Sequence, residues 1–134
     1  MMEILNGLSL GLSVAFSVST LFYCFVGVAV GTLVGVLPGL GGLATIAMLM
    51  PLTYHVAAVD ALVMLSGIYY GAAYGGSTAS ILLNLPGTAN TAVTCLDGYP
   101  MTKQGRAGVA LFMTTIASFV GAFIGLVALV GFAP

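Results

Sequence analysis

The side chains able to act as acid, base, thiol or metal ligand in this sequence are few and scattered. They are Glu3, Cys24, His55, Asp60, Cys95, Asp97, Lys103 and Arg106. No nucleophile has a base placed to activate it, as acyl-transfer chemistry requires. Two isolated cysteines and one histidine do not make a metal site, and a Cys24–Cys95 disulfide is not expected. The expectation is therefore a protein that is not an enzyme and holds neither metal nor cofactor. Two basic residues give no patch for nucleic acid.

The chemistry lies instead in the backbone. "GVLPGLGG", residues 35–42, packs Gly35, Pro38, Gly39, Gly41 and Gly42 into the middle of an apolar run. Proline and glycine are the residues that break helices. A second cluster, "YGGS" at 74–77, brings Gly75, Gly76 and Ser77, with Thr78 next. A short apolar piece then leads to Asn84 and a second Leu-Pro-Gly, containing Pro86 and Gly87, before Thr88. Unpaired backbone groups in lipid cost several kcal/mol each, so such breaks are tolerated only inside protein or against a water-filled cavity. Freed amides and helix N-termini at paired breaks are how discontinuous helices in transporters bind anions. A proline kink can also serve packing alone, and glycine is common in membrane helices. Two breaks, each beside a segment too short to cross, favour a binding site made of the residues just named.

These breaks need spans to hold them. Sixty per cent of residues are hydrophobic, 4% are charged and mean hydropathy is +1.21, against about 25% charged in soluble domains. From residue 4 to residue 59 no formal charge occurs apart from a possible one on His55. As one helix that stretch would run ~84 Å, against a hydrocarbon core of ~30 Å. It must fold back on itself. The pattern predicts an all-α, polytopic membrane bundle with broken or re-entrant helices. Residues 1–17, with Glu3 and Asn6 among the polar positions, read as an interfacial helix. Residues 18–36 read as a span, 37–55 as a broken half-helix, 56–74 as a span and 75–87 as a break with a half-helix. Residues 88–106 read as a polar loop, with Asp97-Gly98 and Tyr99-Pro100 as turn signals, and 107–131 as a last span. Glycines 27, 31 and 35, and again 67, 71 and 75, repeat every four residues. Such stripes let helices approach closely, and packing is their expected role. Tyr69, Tyr70, Tyr74, His55 and Asp60 are expected near interfaces. Lys103 and Arg106 both fall in 88–106, which the positive-inside rule places in the cytoplasm. The chain ends on "VALVGFAP" directly after an apolar span, and a portion of a larger protein is expected.

The segments "GTLVGVLPGLGGLATIAMLMPLTY" (31–54), "GIYYGAAYGGSTASILLNLPGTANTAVTCLDGYPM" (67–101) and "KQGRAGVAL" (103–111) resemble the large membrane subunit of the tripartite tricarboxylate transporters. The likeness covers nearly the whole chain and matches the N-terminal part of a family whose members are several times longer. Gly42 and Ala58 stand where many members carry proline. The resemblance implies a multi-pass permease of the bacterial inner membrane. It implies two partners, a small membrane subunit and a periplasmic solute-binding protein. It also implies uptake of citrate or a related organic carboxylate with a cation gradient, Na+ or H+. Residue by residue, the spans alone leave two alternatives open: a passive channel-like pore, or a small structural membrane protein assembled through its glycine stripes.

Overall fold

The structure, a computed structural model, describes residues 2–132, with side chains from residue 5 onward. The expected place of Glu3 on a polar helix face lies outside the described side chains. Among the described residues the chain is all helix and turn. Helix α1 (Met2–Ala15) ends at a short turn where Ser17 caps α2 (Val18–Gly35). The Ser17 hydroxyl accepts from the Thr20 amide at 3.3 Å, satisfying one of the donors every helix leaves free at its start. Helix α2 stops because Pro38 cannot continue it and Gly39 takes φ +90°, a conformation costly for any residue with a Cβ. Helix α3 (Gly42–Leu49) follows, then a 3₁₀ segment (Met50–His55) with Pro51 in its first turn. The chain continues through α4 (Ala58–Leu83), α5 (Ala89–Lys103) and α6 (Ala107–Phe132).

Helix α4 is the centre of the molecule, and its contact with α2 explains the glycine stripes. A Cβ on Gly27, Gly31 or Gly35 would run into the backbone of Met64, Ile68 or Ala72 respectively. In return, Gly67, Gly71 and Gly75 face Cys24, Val28 and Thr32 of α2. The two stripes interlock, backbone against backbone, as small-residue membrane contacts do. Partner numbers rise together along both helices, so α2 and α4 run parallel. At the start of the pair, the half-buried Asp60 carboxylate accepts from the Thr20 and Ser19 hydroxyls at 2.6 and 2.8 Å. The negative group thus sits at the N-terminal end of α2, where the helix dipole favours it.

Parallel neighbours require the intervening chain to travel the full way back. Helix α2, 18 residues long, rises ~27 Å. Helix α3 returns ~12 Å over its 8 residues, and the 3₁₀ segment another ~12 Å over 6. Residues 42–55 are too few to cross as one α-helix, yet in this mixed form they cover nearly the length of α2.

Helices α2 and α6 are each long and apolar enough to cross a membrane. The chain is an all-α membrane protein. Helix α4 is longer than α2, but glycine, serine and tyrosine dilute its apolar character, and ten of its side chains or glycines are buried within the molecule.

Two expectations are corrected. The break foreseen at 75–77 does not occur: α4 runs unbroken through Gly75, Gly76 and Ser77 to Leu83. Glycine costs a helix ~1 kcal/mol relative to alanine, but here the missing Cβ is what admits α2, and that packing decides. The break falls at residues 84–88, where Asn84 ends α4 in the left-handed conformation, φ 56°. Nor is 88–106 a loop. Thr88 and Thr91 form a reciprocal capping box that starts α5. Gly98, read from Asp97-Gly98 as a turn, instead lies against Ile81: a Cβ there would meet its Cγ1 at 2.7 Å. Only Gln104, Gly105 and Arg106 remain as a turn, with Gly105 at φ 75°.

Candidate functional site

Beyond Leu83 the chain doubles back. Gly87 comes to rest with its Cβ position 3.4 Å from both the Gly76 Cα and the Gly35 carbonyl oxygen. This brings the second Leu-Pro-Gly beside the end of α2, where the first begins. The two breaks therefore meet, and between them opens a cleft of about 300 Å³. The N-terminus of α3 supplies Gly41, Gly42 and Leu43; that of α5 supplies Thr88, Asn90 and Thr91. The wall is the middle of α4: Tyr69, Ala73 and Ser77.

The cleft's electrostatics come from these two helix ends. Gly41 caps α3 in an extended conformation and offers no side chain to its amides. The first-turn donors of α3 are thus left for another partner. In α5 the Thr88 amide donates to the Thr91 hydroxyl at 2.9 Å, and the Thr91 amide donates to the Thr88 hydroxyl at 3.4 Å. The capping box uses those two amides and leaves those of Ala89 and Asn90. Each N-terminus carries the equivalent of roughly +0.5 charge. No acidic or basic side chain lines the cleft. Neutral groups complete it: the Asn90 amide and the Thr88 hydroxyl can donate, while the Ser77 hydroxyl lines the wall with its proton given to the Ala73 carbonyl at 3.1 Å. The arrangement suits a small anion with several oxygen atoms.

Of the residues singled out from sequence, Gly41, Gly42, Ser77 and Thr88 line this cleft. Pro38 and Gly39 lie in the turn that leads to α3, and Pro86 and Gly87 in the turn that leads to α5. Gly35, Gly75 and Gly76 lie in helix contacts: Gly35 and Gly75 between α2 and α4, Gly76 with its Cβ position 3.4 Å from Thr91 Cγ2. The Thr78 hydroxyl is turned back to the Tyr74 carbonyl at 3.0 Å, and Asn84 serves as the α4 cap. Sequence reasoning missed Asn90 and Thr91, having read their segment as a loop. The T-x-x-T spacing at 88–91 was the available signal. Tyr69 was expected at an interface. Its ring lies beside the start of α3, 3.0 Å from where a Gly42 Cβ would stand.

The model of the tripartite tricarboxylate transporter TctA family matches residues 21–134. The chain belongs to that family. It is also similar to an uncharacterized 52.8 kDa protein in the TAR-I ttuC' 3' region of Agrobacterium vitis. The two are 56% identical over 128 residues, which is 96% of this chain and 25% of the relative. The chain thus spans about a quarter of the length of the curated relative it matches. No solved structure matches it. The family match runs from Leu21, the fourth residue of α2, through α6, including both breaks and the whole cleft, while all of α1 precedes it.

Proposed function

We propose that this chain forms the N-terminal part of the permease subunit of a binding-protein-dependent secondary transporter. It takes up tricarboxylates or related organic anions across the bacterial inner membrane, driven by a cation gradient. A small membrane subunit and a periplasmic solute-binding protein are its partners. The observation that carries the reading is the convergence of two helix N-termini, those of α3 and α5, on one uncharged cleft. Discontinuous helices aimed at an anion in this way are a recurrent transporter device. A cleft of about 300 Å³ has room for a small carboxylic acid. Two N-termini together supply only about one positive charge, so a substrate with two or three carboxylates needs further compensation. Co-bound cations or the remainder of a longer permease would provide it.

Uptake of labelled citrate into proteoliposomes holding the complete permease and both partners tests the reading. Asn90→Ala should lower uptake by roughly tenfold for a lost hydrogen bond to a charged ligand, and Ser77→Ala, whose proton goes to the Ala73 carbonyl, should lower it less. Uptake unchanged in both variants would remove the cleft from the pathway.

A further inference from the structure

The wall of the cleft is a single stripe of α4. Tyr69, Ala73 and Ser77 follow one another at spacings of four, one side of the helix. From Tyr69 to Ser77 that stripe runs ~12 Å. Each end has its own neighbour. Beside Tyr69 stands Gly42, the first residue of α3. At the Ser77 end, Thr91 of α5 places its Cγ2 3.4 Å from the Gly76 Cβ position. Along the stripe the side chains are a phenol, a methyl and a hydroxymethyl. Of the three, the Tyr69 ring alone has the bulk to end the cleft.

Two features fix where that ring stands. Its backbone is pinned by its neighbours in the chain. Ile68 is buried with its backbone against Gly31, and Gly71 lies against the Val28 carbonyl. The ring itself is seated by a missing Cβ: its Cδ2 and Cε2 lie 3.0 and 3.2 Å from where a Gly42 Cβ would stand. A side chain at position 42 would push the ring aside. Packing inside the bundle does not account for an aromatic at this position, because Tyr69 is 52% exposed. Nor does an interfacial anchor, which belongs near a helix end: Tyr69 is ~17 Å from the start of α4 and further from its end.

We propose that Tyr69 determines the specificity of the cleft, its ring acting as the stop that limits the length of acid accepted. The class favoured is short-chain carboxylic acids. Their carboxylates turn to Asn90 and the first-turn amides, and their carbon chain lies along Ala73 toward the ring. A misfit of one methylene in such a pocket is worth roughly 10–200-fold. The inference rests on the anion-transport reading of the cleft and names the residue that gives it selectivity.

Straight-chain dicarboxylates test it, because they change length at constant charge. Succinate, glutarate and adipate are titrated against the complete, detergent-solubilised permease, and binding is read as the rise in melting temperature that a ligand of the folded state produces. The natural protein should prefer succinate to adipate by roughly tenfold or more. Tyr69→Ala should remove most of that preference, and Tyr69→Phe, which keeps the ring, should retain it. Gly42→Ala leaves the ring whole but displaces it, and should change the same ratio without depending on the fold of Tyr69→Ala. Tyr70→Ala is the control: Tyr70 lines a separate groove with Cys24 and Val28, and its loss should leave the order of acids unchanged. An unaltered preference in both Tyr69→Ala and Gly42→Ala would overturn the proposal, as would loss of the preference in Tyr69→Phe or no binding of any of the acids by the natural protein. Binding in the expected order without uptake in proteoliposomes would count against the transport reading alone. Uptake with the same length preference in the natural protein, Tyr69→Ala and Gly42→Ala would count against this inference alone.

Discussion

Alanine at Gly71 offers a sharp test of the fold that holds the cleft. Its Cβ would run into the Val28 carbonyl oxygen and stand 2.9 Å from the Thr32 amide nitrogen and 3.1 Å from its hydroxyl. Two of those three groups are backbone, so no rotamer change relieves them, and α2 and α4 must part. Overpacking of this kind costs ~1–3 kcal/mol, and the backbone-on-backbone contact puts Gly71 at the upper end. Helix propensity works the other way, returning up to ~1 kcal/mol for Gly→Ala. The net expectation is a loss of about 2 kcal/mol, or roughly 5–10 °C in apparent melting temperature. Gly7, in α1, is the control: nothing lies within 4 Å of its Cβ position, so Gly7→Ala should be neutral or slightly stabilising. Thermal unfolding of both variants in the same detergent, followed by circular dichroism, gives the comparison. Equal melting temperatures for the two would refute the interlocked parallel packing of α2 and α4.

Asp60→Ala removes the acceptor of two hydroxyl hydrogen bonds and should lower stability by ~1–3 kcal/mol, measured by the same melt. Asn84→Gly should be tolerated, because φ 56° suits glycine. Asn84→Val should destabilise by about 1–2 kcal/mol, and a chemical-denaturation midpoint separates the two. A cysteine placed at Gln104, in the turn between α5 and α6, should react with an impermeant thiol reagent only from the cytoplasmic side; labelling of intact cells would invert the topology.

Much of the fold was legible because composition and period carry it. The two glycine stripes marked close helix contacts, though not that each would meet the other, since a four-residue repeat of residues without Cβ has few other uses in apolar helices. Pro38-Gly39 and Pro86-Gly87 marked real turns for the same local reason. What failed was the inference from glycine to break at Gly75 and Gly76. Whether a glycine interrupts a helix or admits a neighbour depends on the neighbour, and α2 lies some forty positions away in sequence. Asp97-Gly98 and Tyr99-Pro100 misled likewise: Gly98 is small because Ile81 touches it. The cleft was half legible. Gly41, Gly42, Ser77 and Thr88 came from the breaks. Asn90 and Thr91 reach it only because residues 84–88 fold back beside Gly35 and Gly76, and Tyr69 because α3 comes to lie against the middle of α4, long-range closures that no local pattern records.

The central claim is that two helix N-termini form one anion site. Counterflow of labelled citrate, measured in proteoliposomes containing the complete permease and its partners, addresses it most directly. The account predicts saturable exchange in the natural protein and a fall of roughly tenfold in Asn90→Ala, with the variant's membrane insertion intact. Exchange at the natural rate in Asn90→Ala and Ser77→Ala alike, or no exchange by the natural protein, would contradict it.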